Sequence, residues 1–125
     1  EVLRSVHDCL KPRGQFLLDV DNPELYVTKG TGQSSQALTD SNGEGILVTK
    51  QSEFDFDRGR RIVRFVFDDP SLNIYLECQL YTLEALIGML EDTGFVVSKT
   101  QYGNYDGQNY GSKSPRLIVK ARKRA

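Results

Sequence analysis

Apolar positions recur along this chain with two different periods, and the changes of period mark out its elements. Val2, Leu3, Val6, Cys9 and Leu10 fall on one stripe at the helical period, which predicts a helix over residues 1–10. Lys11-Pro12-Arg13-Gly14 interrupts it, because proline presets the second position of a turn and cannot continue a helix. Gln15-Phe16-Leu17-Leu18-Asp19-Val20 is a short, nearly continuous apolar run, the pattern of a strand covered on both faces as in a parallel sheet. Asp21-Asn22-Pro23-Glu24 closes it and can cap a short helical turn at Leu25 and Tyr26.

Residues 29–45 are polar, rich in Gly, Ser, Thr and Gln, and without periodicity, so they read as a long loop, either a lid or disordered. Residues 46–81 then read as an antiparallel meander of three strands with one buried face. Ile46, Val48, Phe54 and Phe56 share a side, Val63, Phe65 and Phe67 share the next, and Leu72, Ile74, Leu76, Cys78 and Leu80 alternate with polar residues. The turns are Asp57-Arg58-Gly59-Arg60 and Asp68-Asp69-Pro70-Ser71. Thr82 is a suitable N-cap for a helix whose stripe is Leu83, Leu86, Ile87 and Leu90, and Gly94 is placed to end it in the left-handed conformation. Residues 95–101 read as a strand, 102–113 as a glycine-spaced loop, and 117–121 as a last strand.

Composition narrows this only a little. The 125 residues suit one domain, with 38% hydrophobic and 26% charged residues and a net charge of −1. That balance gives no electrostatic reason to expect nucleic acid, and no apolar run reaches the ~20 residues of a membrane span. Cys9 and Cys78 lie on apolar faces and form no CxxC pair, so they read as buried, reduced, structural thiols, pointing to a cytoplasmic protein. A helix that starts at Glu1 without a Ser, Thr, Asp or Asn cap is expected in a piece of a longer chain.

The order of these parts resembles the C-terminal portion of class I S-adenosylmethionine-dependent methyltransferases. The unit Leu10-Lys11-Pro12-Arg13-Gly14-Gln15-Phe16-Leu17-Leu18-Asp19-Val20 is similar to their fifth-strand unit. Many members carry a glycine where this chain has Arg13, a change that a type I turn would accept. Tyr81-Thr82-Leu83-Glu84, Gly94-Phe95, Gly103-Asn104-Tyr105-Asp106-Gly107 and Ser114-Pro115-Arg116 resemble the motifs that follow the meander in one broad group of these enzymes. Glu84 stands one position early, and Asn104 replaces a common Asp.

The resemblance implies an α/β fold: the C-terminal part of a doubly wound, Rossmann-like methyltransferase sheet with an inserted antiparallel meander. It implies S-adenosylmethionine as the parent protein's cofactor, with the donor's glycine loop and ribose-binding acid on strands that would precede Glu1. No donor-binding residue is therefore assigned here, and the fragment is expected to be inactive alone. Residues 1–125 would form a single domain that shapes the wall of a small-molecule acceptor pocket. The candidates for substrate binding are Asn22 (with Glu24 beside it), Tyr102, Tyr105, Asp106 and Arg116. Aromatic and polar groups in a glycine-rich loop suit such a pocket. Arg116 could clamp an anion or pair with Asp106 and pin the loop.

Other constellations carry less. Gly30-Thr31-Gly32 opens no helix and fails the context of a dinucleotide loop. Asp19 and Asp21 could hold a metal, as in some glycosyltransferases, or simply end a strand and start a turn; Asp55 and Asp57 flank a hairpin. His7 reads as a partly exposed helix residue, and no catalytic residue or metal ligand is assigned. Lys120, Arg122, Lys123 and Arg124 read as a solvated terminus. The alternatives are a non-enzymatic α+β binding module that dimerises through an exposed edge at residues 16–20, and a metal-dependent glycosyltransferase piece using Asp19 and Asp21.

Overall fold

The structure, a computed structural model, describes residues 1–29, 32–68 and 72–125. The Gly30-Thr31-Gly32 motif and the turn at residues 68–71 fall largely outside the described residues. Contacts group the chain into two units, Glu1–Leu25 with Tyr81–Ala125, and Tyr26–Leu80.

In the first unit, helix α1 (Val2–Cys9) leads through the proline turn to strand β1 (Gln15–Asp21) and the start of helix α2 (Pro23–Lys29). The chain returns with helix α3 (Leu83–Thr93), strand β6 (Phe95–Val97) and strand β7 (Arg116–Lys123); β7 lies between β1 and β6, antiparallel to both. Thr82 caps α3 by accepting the Ala85 N–H at 3.2 Å, and Gly94 ends it at φ 102°. Leu86, Leu90, Phe95, Leu117, Val119 and Ala121 form the buried core, with Leu3, Val6, Leu10, Phe16 and Leu18 packed against it.

Two sequence expectations change here. β1 is not covered on both faces: Leu17 is 61% exposed, and the strand alternates because only the face carrying Phe16, Leu18 and Val20 packs against the core. Cys9 is exposed rather than buried. On a helix advancing 100° per residue, Val2 and Cys9 share a direction well off the axis of Leu3, Val6 and Leu10, so both sit at the margin of the stripe.

The turn after α1 is closed by Gly14 N–H to Lys11 C=O at 2.8 Å, with Arg13 at φ 64°. A left-handed third residue is the signature of a type II turn, not of the type I turn that would tolerate any side chain. Arg13 is exposed and therefore pays the left-handed cost of about 1 kcal/mol without compensation. Arg13→Gly is expected to raise stability by about 0.5 kcal/mol, the relief being partly offset by glycine's greater unfolded-state freedom. Chemical denaturation checks this, and a loss of stability would refute the turn assignment.

The second unit is a four-stranded antiparallel meander, β2 (Gly32–Thr39), β3 (Gly45–Asp55), β4 (Arg60–Phe67) and β5 (Asn73–Gln79). Residues 32–39, expected as part of a loop, pair with β3 along their whole length. Val48 and Val63 are buried at its centre. The apolar face continues onto β5 but is not buried there: Ile74 and Leu76 are half exposed, and Cys78 is exposed, as this strand lies at the sheet's edge. Among the described residues no helix is long and apolar enough to cross a membrane.

Candidate functional site

Polar chemistry in the first unit concentrates where β1 ends. The antiparallel register sets Asp21 opposite Arg116 and Asp19 opposite Ile118, so both carboxylates share the side on which the Arg116 guanidinium lies. Arg116 donates from Nε to Asp19 Oδ1 at 2.9 Å and from a terminal nitrogen to Asp21 Oδ1. The expected Arg116–Asp106 pair does not form; Asp106 is exposed at the loop tip, where its backbone N–H is held by Asn104 Oδ1. The two carboxylates that could have held a metal thus face a guanidinium. No cluster of three or more His, Cys, Asp or Glu among the described residues is placed to hold an ion.

Tyr105 crosses back from the loop and donates to Asp19 Oδ2 at 2.7 Å, although the residue is otherwise 77% exposed. Burial pushes the Asp19 carboxyl up, but the hydrogen bonds from Tyr105 and Arg116 and the Arg116 charge outweigh it, holding Asp19 below its ordinary range. Arg116 is raised in turn: burial opposes its charge, and the bonds and charges of Asp19 and Asp21 more than restore it. Tyr105 is raised, chiefly by its bond to Asp19.

Asn22 is wholly enclosed. Its amide nitrogen points at the carbonyls of Gly111, Ser112 and Ser114, at 3.2, 3.2 and 2.9 Å. Its Oδ1 accepts the Glu24 N–H at 3.0 Å and lies 2.8 Å from the Tyr110 hydroxyl. The residue expected on a substrate wall therefore spends its polar capacity fastening the loop to the end of β1. Gly103 makes the same loop possible: a Cβ there would stand 2.2 Å from Ser114 Oγ. Tyr102 joins the loop to β7 through its backbone, with reciprocal bonds to Ile118 at 3.0 and 2.8 Å.

Beside this fastening lies a cleft of about 360 Å³ lined by Pro23, Glu24, Thr82, Leu83, Glu84 and Tyr110. The Tyr110 hydroxyl is 2.7 Å from Glu24 Oε2. Burial first, and then that bond and the Glu24 charge, raise the Tyr110 phenol far above its ordinary value, so it stays protonated and serves as a donor rather than a base. Sequence reasoning reached Glu24 but not Tyr110's bond to it or the contribution of the α3 N-terminus. The signal present was the Thr82 cap, which fixes where Leu83 and Glu84 emerge.

The basic residues at the chain's end are also not a frayed tail as far as Lys123. Strand β7 includes them, and Lys123 Nζ donates to the carbonyls of His7 and Leu10 at 2.8 and 3.0 Å, closing the C-terminus of α1.

No family model and no curated protein matches this chain. Solved structures do. The chain is similar to the CcbJ methyltransferase from Streptomyces caelestis with a TM-score of 0.76 at 14% identity, over 98% of this chain and 49% of that one. An S-adenosylmethionine-dependent methyltransferase from Clostridium acetobutylicum gives 0.71 at 16% identity, over 98% and 50%. CalS10, an amino pentose methyltransferase from Micromonospora echinaspora solved with S-adenosylmethionine, gives 0.55 at 12%, over 97% and 48%. The chain therefore has the fold of part of an S-adenosylmethionine-dependent methyltransferase, as the order of its motifs implied. It spans about half the length of these proteins.

The β1–α2 turn does not fit the methyl donor. A donor of that kind is held by free N–H groups on a strand-to-helix turn. At the β1–α2 turn Pro23 has no N–H, Asn22 Oδ1 takes that of Glu24, and the Asn22 carbonyl takes that of Leu25.

Proposed function

We propose that this chain is the C-terminal, acceptor-side portion of an S-adenosylmethionine-dependent methyltransferase acting on a small molecule in the cytoplasm, and that it does not turn over alone. The observation that carries this reading is the agreement of nearly the whole chain with about half of each methyltransferase fold. The outer edge of β1 has no strand partner among the described residues, which suits a sheet that continues in a parent protein and would equally admit a second copy.

In this reading the cleft between Glu24, Tyr110 and the start of α3 is the acceptor wall. Leu83 and Pro23 supply its apolar surface, Thr82 and the carboxylates its polar groups. Arg116, Tyr105 and Asn22 act behind it by fixing the loop that carries Tyr110. The parent's cofactor supplies the reactive methyl group. The residues here contribute alignment and exclusion of water, and Tyr110, kept protonated, orients rather than deprotonates the acceptor.

Calorimetry of the chain with S-adenosylmethionine tests the proposal. No saturable binding in the micromolar range is expected; micromolar affinity would show that these residues hold the donor after all and would overturn the division of labour.

A further inference from the structure

Strand β5 closes the meander with an open edge. Its ladder to β4 sets Arg60 opposite Gln79, Val63 opposite Leu76 and Val66 opposite Asn73, and among the described residues no strand pairs with its other side. The same register continues one step to Gly59 and Leu80, where the Leu80 N–H donates to the Gly59 carbonyl at 2.8 Å. Bonded pairs alternate along an antiparallel ladder, so Ile74, Leu76 and Cys78 turn their backbone groups to β4. Asn73, Tyr75, Glu77 and Gln79 turn theirs to the open edge.

Such an edge is normally guarded by lysine, proline, a bulge or an unbalanced charge. Residues 73–79 contain no Lys, Arg or Pro, and the ladder runs without a bulge. The one charge, Glu77, is neutralised within the chain: Oε1 accepts from Arg60 at 2.9 Å and Oε2 from the Tyr75 hydroxyl at 2.9 Å. Gln79 is likewise turned inward, to Arg60 and to the carbonyls of Arg58 and Gly59. On the other face Ile74, Leu76 and Cys78 stand exposed beside buried Val63.

The strand is also complementary to itself. A second copy laid antiparallel with Leu76 on the two-fold axis places Tyr75 opposite Glu77, Asn73 opposite Gln79 and Ile74 opposite Cys78. Every residue with outward backbone groups then falls on a bonded pair, and no like charges oppose. A register centred on Glu77 would set two carboxylates against each other, and one centred on Tyr75 leaves Cys78 and Gln79 opposite no residue of the strand.

We infer that β5 is an interaction surface for a second copy of this chain: two β5 strands pair antiparallel about Leu76, joining two meanders into one continuous sheet and bringing Ile74, Leu76 and Cys78 of both copies together on its apolar face. The surface lies within the meander, is distinct from the edge of β1, and does not depend on the methyltransferase reading.

Disulfide trapping of the full chain tests it, in a Cys9→Ser background so that the other native thiol cannot react. In this register the two Cys78 residues lie ~13 Å apart along the strands, beyond disulfide reach, so the background protein is expected to form no linked dimer on oxidation. Ile74→Cys puts a thiol opposite Cys78 and is expected to give a disulfide-linked dimer. So is Leu76→Cys combined with Cys78→Ser, where the new thiols meet on the axis. Adding Tyr75→Pro to that last variant removes an outward N–H without touching the ladder to β4, and is expected to slow linkage about tenfold or more with an unchanged circular dichroism spectrum. Gln36→Cys combined with Cys78→Ser, on β2 at the far edge of the same sheet, is expected not to link. Should the proline alter the fold, the contrast between the Ile74, Leu76 and Gln36 variants decides. No dimer from Ile74→Cys and Leu76→Cys, equal linkage through Gln36→Cys or through Cys78 alone, or linkage indifferent to Tyr75→Pro in a folded protein would overturn the surface.

Discussion

Asn22→Asp is expected to destabilise the first unit by about 3 kcal/mol or more, and to release the loop that carries Tyr105 and Tyr110. The substitution keeps the shape and keeps Oδ1 for the Glu24 N–H. It replaces the amide donor with a second acceptor, which then faces the carbonyls of Gly111, Ser112 and Ser114 inside a fully enclosed site. Buried acceptors lose their partner, and an ionised oxygen is added to them. Asn22→Ala loses the same donor without adding charge, so it is expected to cost less, about 2 kcal/mol. Denaturant unfolding ranks the three proteins, and limited proteolysis within residues 103–114 reports release of the loop. Equal stability of all three would mean that Asn22 does not fasten the loop, and would return it to the list of residues free to meet a substrate.

That outcome bears on how the site was read from sequence. The sequence marks Asn22, Tyr105 and Arg116 as separate candidates for substrate binding; the structure puts Tyr105 and Arg116 on Asp19 and Asn22 on the carbonyls of the loop. What each one touches was not legible. Arg116 reaches Asp19 and Asp21, not Asp106, because β1 pairs antiparallel with β7 and puts Asp21 opposite Arg116. An apolar run such as Phe16–Leu18 reads as a parallel strand until its neighbour is known, and register is a property of two segments 95 residues apart, not of either alone.

The elements with local determinants were readable. Thr82 and Gly94 bound α3 through a cap bond and a left-handed residue, both of which depend on the residue types at those positions. Strand β2 had no such signal. Gln33, Ser34, Ser35 and Gln36 are exposed, so no apolar alternation marks them, and the strand exists because backbone groups pair with β3. The cysteines were misplaced for a related reason: membership of an apolar stripe says that a residue is near a face, not that another element covers it.

Phe95→Ala is expected to be the most damaging single change in the core, costing about 3–5 kcal/mol. Phe95 is fully buried and is the first residue after the left-handed Gly94, so the cap that stops α3 also aims this ring inward. It lies 5.7 Å from the Phe16 ring of β1 and 5.3 Å from the His7 ring of α1, which meets it edge-on. One side chain therefore ties α1, β1 and the α3–β6 junction together, and His7 is explained as part of that packing. Natural domains are stable by only about 0.05–0.15 kcal/mol per residue, so a loss of this size removes a large part of what holds a unit this small. Phe95→Leu keeps most of the volume and is expected to cost about 1–1.5 kcal/mol. Equilibrium denaturation of the two variants, followed by far-ultraviolet circular dichroism, gives the comparison. A Phe95→Ala cost no larger than that of Phe95→Leu would show that the cavity closes by collapse of α1 onto β6, and that the three elements are not held in place by this ring.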